Sequence, residues 1–208
     1  SKDRQSCLEQ LLDTEIELRG KIDAFTWNIL GVLYHEGREG KSLDIEKAEY
    51  CYRKAIEIGG CSNAYSNMAQ IHHYGLGPFA RDTVKAKDFY DLALVTDKNN
   101  ESAKLHLLRL EAAECGIKTG AEWISLGYKF HIGDDGRPKD FTLARLCYEE
   151  ALRISPDKYA AHNLGIIYLY ANGVKLNLPL AARYLQQALD LGHEGAQTEL
   201  KNVFQHKD

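Results

Sequence analysis

Residues 27–55 read WNILGVLYHEGREGKSLDIEKAEYCYRKA. Within them Trp27, Leu30, Gly31 and Tyr34 fall at helical spacing, and Asp44, Ala48, Tyr52 and Ala55 do so again. Separations of three, four and seven residues place side chains on one face of an α-helix, where they pack against a neighbour. The stretch therefore predicts two helices facing each other across a connection rich in Gly and charge.

The pattern returns three times. A second copy reads Tyr65, Met68, Ala69, His72, then Asp82, Ala86, Tyr90, Ala93. A third reads Trp123, Leu126, Gly127, Phe130, then Asp140, Ala144, Tyr148, Ala151, and a fourth Ala161, Leu164, Gly165, Tyr168, then Asn177, Ala181, Leu185, Ala188. The small residues let paired backbones approach closely while the aromatic members fill the flanking gaps. Asp44, Asp82, Asp140 and Asn177 each stand four residues before the first Ala of the second helix, where a side-chain oxygen accepts from unpaired amides as an N-cap. Gly75-Leu76-Gly77-Pro78 and Gly133-Asp134-Asp135-Gly136-Arg137-Pro138 read as turns that end the first helices.

The small residue recurs after 38 residues, from Gly31 to Ala69 and from Gly127 to Gly165. The helix pattern resembles tetratricopeptide repeats, whose period is about 34, with a longer inter-helix connection. With its Gly-x-Gly element and Asp82-Thr83-Val84-Lys85-Ala86, the connection resembles the Sel1-like repeat subclass. The resemblance implies an all-α fold: a right-handed α-α superhelix, or solenoid, of about four helical hairpins plus an inserted helix and terminal capping helices. A single domain over 1–208 is expected, with an N-terminal helix at 1–20, repeats at 23–60, 61–98, 121–157 and 158–193, an inserted helix at 99–120 and a capping helix at 194–208.

The insertion accounts for the interval from Ala69 to Gly127, which is 58 instead of 38. It contains a helix-like run from Ser102 to Ala113, which suits a repeat that lost its second helix as well as a later insertion. Leu8, Leu11, Leu12, Ile16 and Leu18 have helical spacing without the repeat's small residues. Near the other end Lys201 occupies the small-residue position, and a charge there stops further stacking.

Composition fits a soluble chain: 208 residues, 44% hydrophobic, 27% charged and a net charge of −4. No apolar run approaches the roughly 18 residues of a membrane span, so no membrane insertion is expected. Without a Lys/Arg cluster, nucleic acid is not expected as a partner. Five cysteines cannot all pair within one chain. Cys51 and Cys147 share a repeat position before the core Tyr and read as small core hydrophobes, while Cys7, Cys61 and Cys115 show no ligand spacing, so no metal site is expected. Unpaired cysteines favour a reducing, cytoplasmic setting, with an exported one open where a signal peptide has been removed. The chain has no phosphate-binding Gly loop, His35-Glu36-Gly37 lacks the second His of a zinc-protease helix, and Asp134, Asp135 and Asp140 have the wrong spacing for an EF-hand. No cofactor and no catalytic activity are expected.

A second stripe on each first helix lies about 130° from the core stripe. It comprises Phe25, Asn28, Val32 and His35; Asn63, Ser66, Gln70 and His73; Ala121, Ile124, Tyr128 and His131; Tyr159, His162, Ile166 and Leu169. The resemblance implies that this stripe lines a concave groove receiving a partner protein or peptide. Its candidate contacts are Phe25, Asn28, His35, Asn63, Ser66, Gln70, His73, Tyr128, His131, Tyr159 and His162, with Tyr128 and Tyr159 as anchors or as packing between repeats. Three histidines, His35, His73 and His131, occupy one position, open to three readings: a hydrogen bond to the following loop, contact with a ligand, or a metal. The stripe has no Lys or Arg, which disfavours a carboxylate clamp and favours neutral or basic segments with apolar side chains. The expected function is a non-catalytic adaptor or scaffold, the alternative an immunity protein that neutralises one toxin or enzyme.

Overall fold

The computed structural model describes residues 23–134 and 136–205, and among them ten α-helices and no strand. The expected N-terminal helix at 1–20 lies outside the described residues. The helices are α1 (Ala24–Glu36), α2 (Ile45–Gly59), α3 (Ser62–Tyr74), α4 (Thr83–Thr96), α5 (Glu101–Glu114), α6 (Gly120–Ile132), α7 (Phe141–Ile154), α8 (Lys158–Leu169), α9 (Leu178–Asp190) and α10 (Ala196–Gln205). The all-α hairpin expectation holds: α1 packs with α2, α3 with α4, α6 with α7 and α8 with α9. The chain forms two compact units, Ser1–Leu110 and Glu111–Asp208.

Each second helix begins as its sequence dictates. Asp44, Asp82, Asp140 and Asn177 adopt extended or other non-helical backbone, and their Oδ1 atoms accept from the amides of Lys47, Lys85, Leu143 and Leu180 at 2.9–3.0 Å. An N-cap of this kind is worth about 1 kcal/mol. First helices start on Asp23, Cys61, Thr119 and Asp157. Thr119 and Glu122 make a reciprocal capping box, which pairs two amides that would otherwise lack partners. Gly75 and Gly133 end α3 and α6 with φ of +64° and +76°, a left-handed turn that a side chain strains, and the chain passes close beneath both.

In the first unit, Trp27, Tyr34, Ala48, Cys51, Tyr52 and Ala55 form one core with Met68 and Ile71 of the next hairpin. In the second, Ala161, Leu169, Ala181, Leu185 and Ala188 gather with Ala196 and Val203 of α10. The second-helix alanines Ala48, Ala86, Ala144 and Ala181 are wholly buried, as are Tyr52, Tyr90 and Tyr148. Cys51 and Cys147 are buried too, and burial pushes the Cys51 thiol up to about 12, which fits their reading as small core hydrophobes.

The close approach is set by the small residue eight positions after each first-helix N-cap. A Cβ on Gly127 would lie 2.8 Å from the Tyr148 ring and 2.9 Å from Cys147 Cβ, and one on Gly165 would lie 2.6 Å from Leu185 Cγ. Gly31 is pressed against the Tyr52 ring in the same way.

The inserted helix obeys the same count with one change. Asn100 precedes α5, and its Oδ1 accepts from the Ala103 amide at 2.9 Å. Eight positions on stands Leu108, buried to 3% exposure. Ala103 and Leu110 meanwhile join Ala69, Ala86, Tyr90 and Ala93 in one apolar cluster. Thus α5 follows the first-helix pattern without a second helix of its own.

Gly127→Val is expected to lower stability by about 1–3 kcal/mol through overpacking against Tyr148 and Cys147. A urea titration followed by circular dichroism measures it, and an unchanged midpoint would contradict the close-approach account.

Candidate binding stripe and its histidines

The three equivalent histidines share one arrangement. His35 Nδ1 lies 3.2 Å from Tyr52 Oη, His73 Nδ1 lies 3.4 Å from Tyr90 Oη, and His131 Nδ1 lies 3.4 Å from Tyr148 Oη. Ring centroids are 6.2, 6.2 and 6.3 Å apart. Each histidine thus reaches the buried tyrosine of its partner helix, a contact that none of the three sequence-based readings named. Burial holds all three imidazoles below their ordinary value, which favours the uncharged ring at neutral pH, and the imidazole tautomer sets which of Nδ1 and the phenol donates.

The fourth repeat supports this account by substitution. Where the others have His and Tyr it has Leu169 and Leu185, 2% and 0% exposed and in one apolar cluster. The pair is replaced as a unit. A buried phenol without its partner would carry a desolvation penalty of about 1–3 kcal/mol, whereas two apolar groups carry none.

Other stripe residues divide between internal and exposed roles. Asn28 is 6% exposed and accepts from Asn67 Nδ2 at 3.0 Å, and Ser66 is 1% exposed and donates to Ser102 Oγ at 3.2 Å. Both join a first helix to the next first helix in the chain. Asn63 is exposed yet accepts from Asn100 Nδ2 at 3.2 Å, and Gln70 is half-buried. Phe25, Tyr128 and Tyr159 are 62%, 55% and 54% exposed.

In the second unit Tyr159 meets His193 edge-on at 5.6 Å, and His162 stacks on His193 at 4.1 Å with a 12° interplanar angle. His162 is held below its ordinary value first by burial and then by that neighbouring ring. In the first unit His73, Tyr74, Tyr90 and His106 form a ring cluster, in which Tyr90 and His106 stack at 5.5 Å and the Tyr74 hydroxyl lies 3.3 Å from His106 Nδ1. Sequence reasoning missed His106, Tyr74 and His193. They lie outside the repeat positions, and no spacing rule marks them.

The described cysteines Cys51, Cys61, Cys115 and Cys147 are free thiols. Among the described residues no three His, Cys, Asp or Glu side chains are placed to share a metal ion, and no helix is long and apolar enough to cross a membrane.

Paired helices with fixed caps, a small-residue contact and an outward stripe define a helical-hairpin repeat protein. The chain belongs to the Sel1 repeat family, whose model matches residues 28–60, 62–94, 124–153 and 158–193. The helix α5 lies in the interval between the second and third matches. Sel1 repeats are generally protein–protein interaction modules. A protective antigen present in uropathogenic Escherichia coli strains, described as displaying an SLR fold, is 20% identical with a TM-score of 0.49, the alignment covering 90% of this chain and 42% of that one. The present chain therefore spans less than half of that protein. A Sel1 repeat protein from Oxalobacter formigenes is 20% identical over 88% of this chain and 76% of that one, with a TM-score of 0.46. No curated protein matches the chain.

Two measurements test the histidine account. In a double-mutant cycle, His131→Leu and Tyr148→Phe together are expected to destabilise by about 1 kcal/mol less than the sum of the single changes; additivity would contradict the pairing. The second concerns pH. With folded values of His35, His72, His73, His131 and His162 below the unfolded 6.5, the unfolded chain binds more protons as pH falls. Their contribution is present above 6.5 and is lost as pH drops through the folded values. The melting temperature is accordingly expected to fall between about pH 7.5 and about pH 5, and a flat profile would contradict it.

Proposed function

We propose that the chain is a non-catalytic adaptor or scaffold that binds a partner protein or peptide through the stripe of its first helices. The observation that carries this reading is the exposure of Phe25, Tyr128 and Tyr159 on that stripe. Large aromatics half or more in solvent contribute little to folding, yet they bring much contact area and little side-chain entropy to an interface.

The internal hydrogen bonds of Asn28 and Ser66, and the His–Tyr pairs, give those members of the stripe a supporting role. Contact then falls to Phe25, Asn63 and Gln70 in the first unit and to Tyr128, Tyr159 and His162 in the second. Neutral amides, imidazole and aromatic rings suit a neutral or basic segment with apolar side chains.

Photo-crosslinking tests the reading. A benzoylphenylalanine at position 128 or 159 is expected to trap a defined partner in native extract, whereas one at Val95, an exposed residue of α4, is not. The partner should be lost on Tyr128→Ala/Tyr159→Ala, a change of exposed side chains that leaves stability within about 0.5 kcal/mol. Equal crosslinking from Val95, or none from 128 and 159, would overturn the stripe as the binding surface. A single tight partner at one-to-one stoichiometry would favour the immunity-protein alternative over an adaptor.

A further inference from the structure

The second repeat departs from the others at its aromatic position, and a cleft lies beside it. Tyr34, Phe130 and Tyr168 occupy that position in the other copies, where the second copy has His72. In the first copy Lys41 and Lys47 lie over the Tyr34 ring, each 5.3 Å from its centroid, and in the third Arg137 lies 5.1 Å from that of Phe130. Cation and ring satisfy each other there. In the second copy one face of His72 is taken by Phe89, stacked at 5.8 Å and 6°, and Phe79 meets it edge-on at 5.9 Å.

Arg81 corresponds to Lys139, which lies 4.6 Å from the centroid of Phe141, and Thr83 stands in place of that ring, while Lys85 corresponds to Lys47 of the first copy. Arg81 and Lys85 line a cleft of about 480 Å³ with His72, Phe79, Asp82 and Thr83. Among the described residues neither cation forms an ion pair, and Lys85 lies only loosely over Phe89 at 6.0 Å. His72 is 7% exposed, and among the described residues neither of its ring nitrogens makes a hydrogen bond. The ring lines the cleft, so its nitrogens are open to a partner from solvent.

The cleft also opens on the first turn of α4. The amides of Thr83 and Val84 have no acceptor within the helix, and the helix N-terminus carries partial positive charge. Asp82 is the one carboxylate lining the cleft, and its Oδ1 accepts from the Lys85 amide at 2.9 Å. Two cations against one carboxylate leave the cleft with a surplus of positive charge.

We propose that this cleft is an oxyanion-binding site, in which Arg81 and Lys85 pair with the anion, His72 donates a ring N–H to it, and the first-turn amides of α4 complete the donor set. The ligand is a carboxylate or phosphate group carried by a binding partner. This site is independent of the first-helix stripe, since Arg81, Thr83 and Lys85 belong to the connection and the second helix.

The test is a nuclear magnetic resonance titration of the full chain with sodium phosphate and, separately, sodium acetate, with ionic strength held constant by sodium chloride. Saturable shifts are expected at the amides of Thr83, Val84 and Lys85 and at the His72 ring, with a millimolar dissociation constant. Arg81→Gln/Lys85→Gln is expected to weaken the constant about tenfold. His72→Phe, which installs the residue found at the equivalent position 130, keeps the fold and is expected to weaken it about threefold. Saturation by phosphate alone assigns the site to phosphorylated groups, and saturation by both anions extends it to carboxylates. Shifts that do not saturate with either anion, or that persist unchanged in the double variant, would overturn the proposal.

Discussion

Every hairpin is organised by one contact, the small residue eight positions into the first helix pressed against a large residue of the second. Gly31 meets Tyr52, Gly127 meets Tyr148 and Gly165 meets Leu185 at distances that leave no room for a Cβ. The N-caps fix where each helix begins, and so fix which residue arrives at the contact. Once the backbones are this close, the alanines of the second helix are wholly buried, and so is the ring opposite the glycine. The inserted helix α5, which has no second helix of its own, carries the buried Leu108 at the same count.

The same contact creates a polar obligation. A tyrosine fills the gap opposite glycine better than leucine, but it carries a hydroxyl into the interior. That hydroxyl needs a partner near the far end of the first helix, and His35, His73 and His131 supply it. Burial in turn raises the phenols above their ordinary value and lowers the imidazoles below theirs, so both groups are held neutral by the packing that brings them together. Leu169 and Leu185 show the other solution, in which neither polar group is present.

Much of this was legible in the sequence because it is local. Caps, small residues, core tyrosines and the helical run at 102–113 are all set by spacing within one or two turns, and each appears where the spacing places it. The His–Tyr pairing was not legible by spacing alone, because it depends on the rotation of one helix against another seventeen residues away. A signal was nevertheless present in the fourth copy, where both members change together. The stripe was legible as a face but not as a surface. Asn28 and Ser66 lie on that face and are buried by Asn67 and Ser102, residues of the neighbouring first helices, and no rule of periodicity within one repeat reports what the next one covers.

Repeats built on one contact are free to differ wherever that contact does not reach. The aromatic position next to the connection is such a place: the tyrosine and phenylalanine of the first and third copies hold loop cations against their rings, and the histidine of the second is held by phenylalanines instead. Changing one ring there leaves the helix pairing intact, since the small residue and its partner are untouched, while changing what the ring packs against. A solenoid can in this way acquire a distinct surface chemistry in a single copy without disturbing its stacking, because the residues that set the fold and the residues that set the connection's charge are separate.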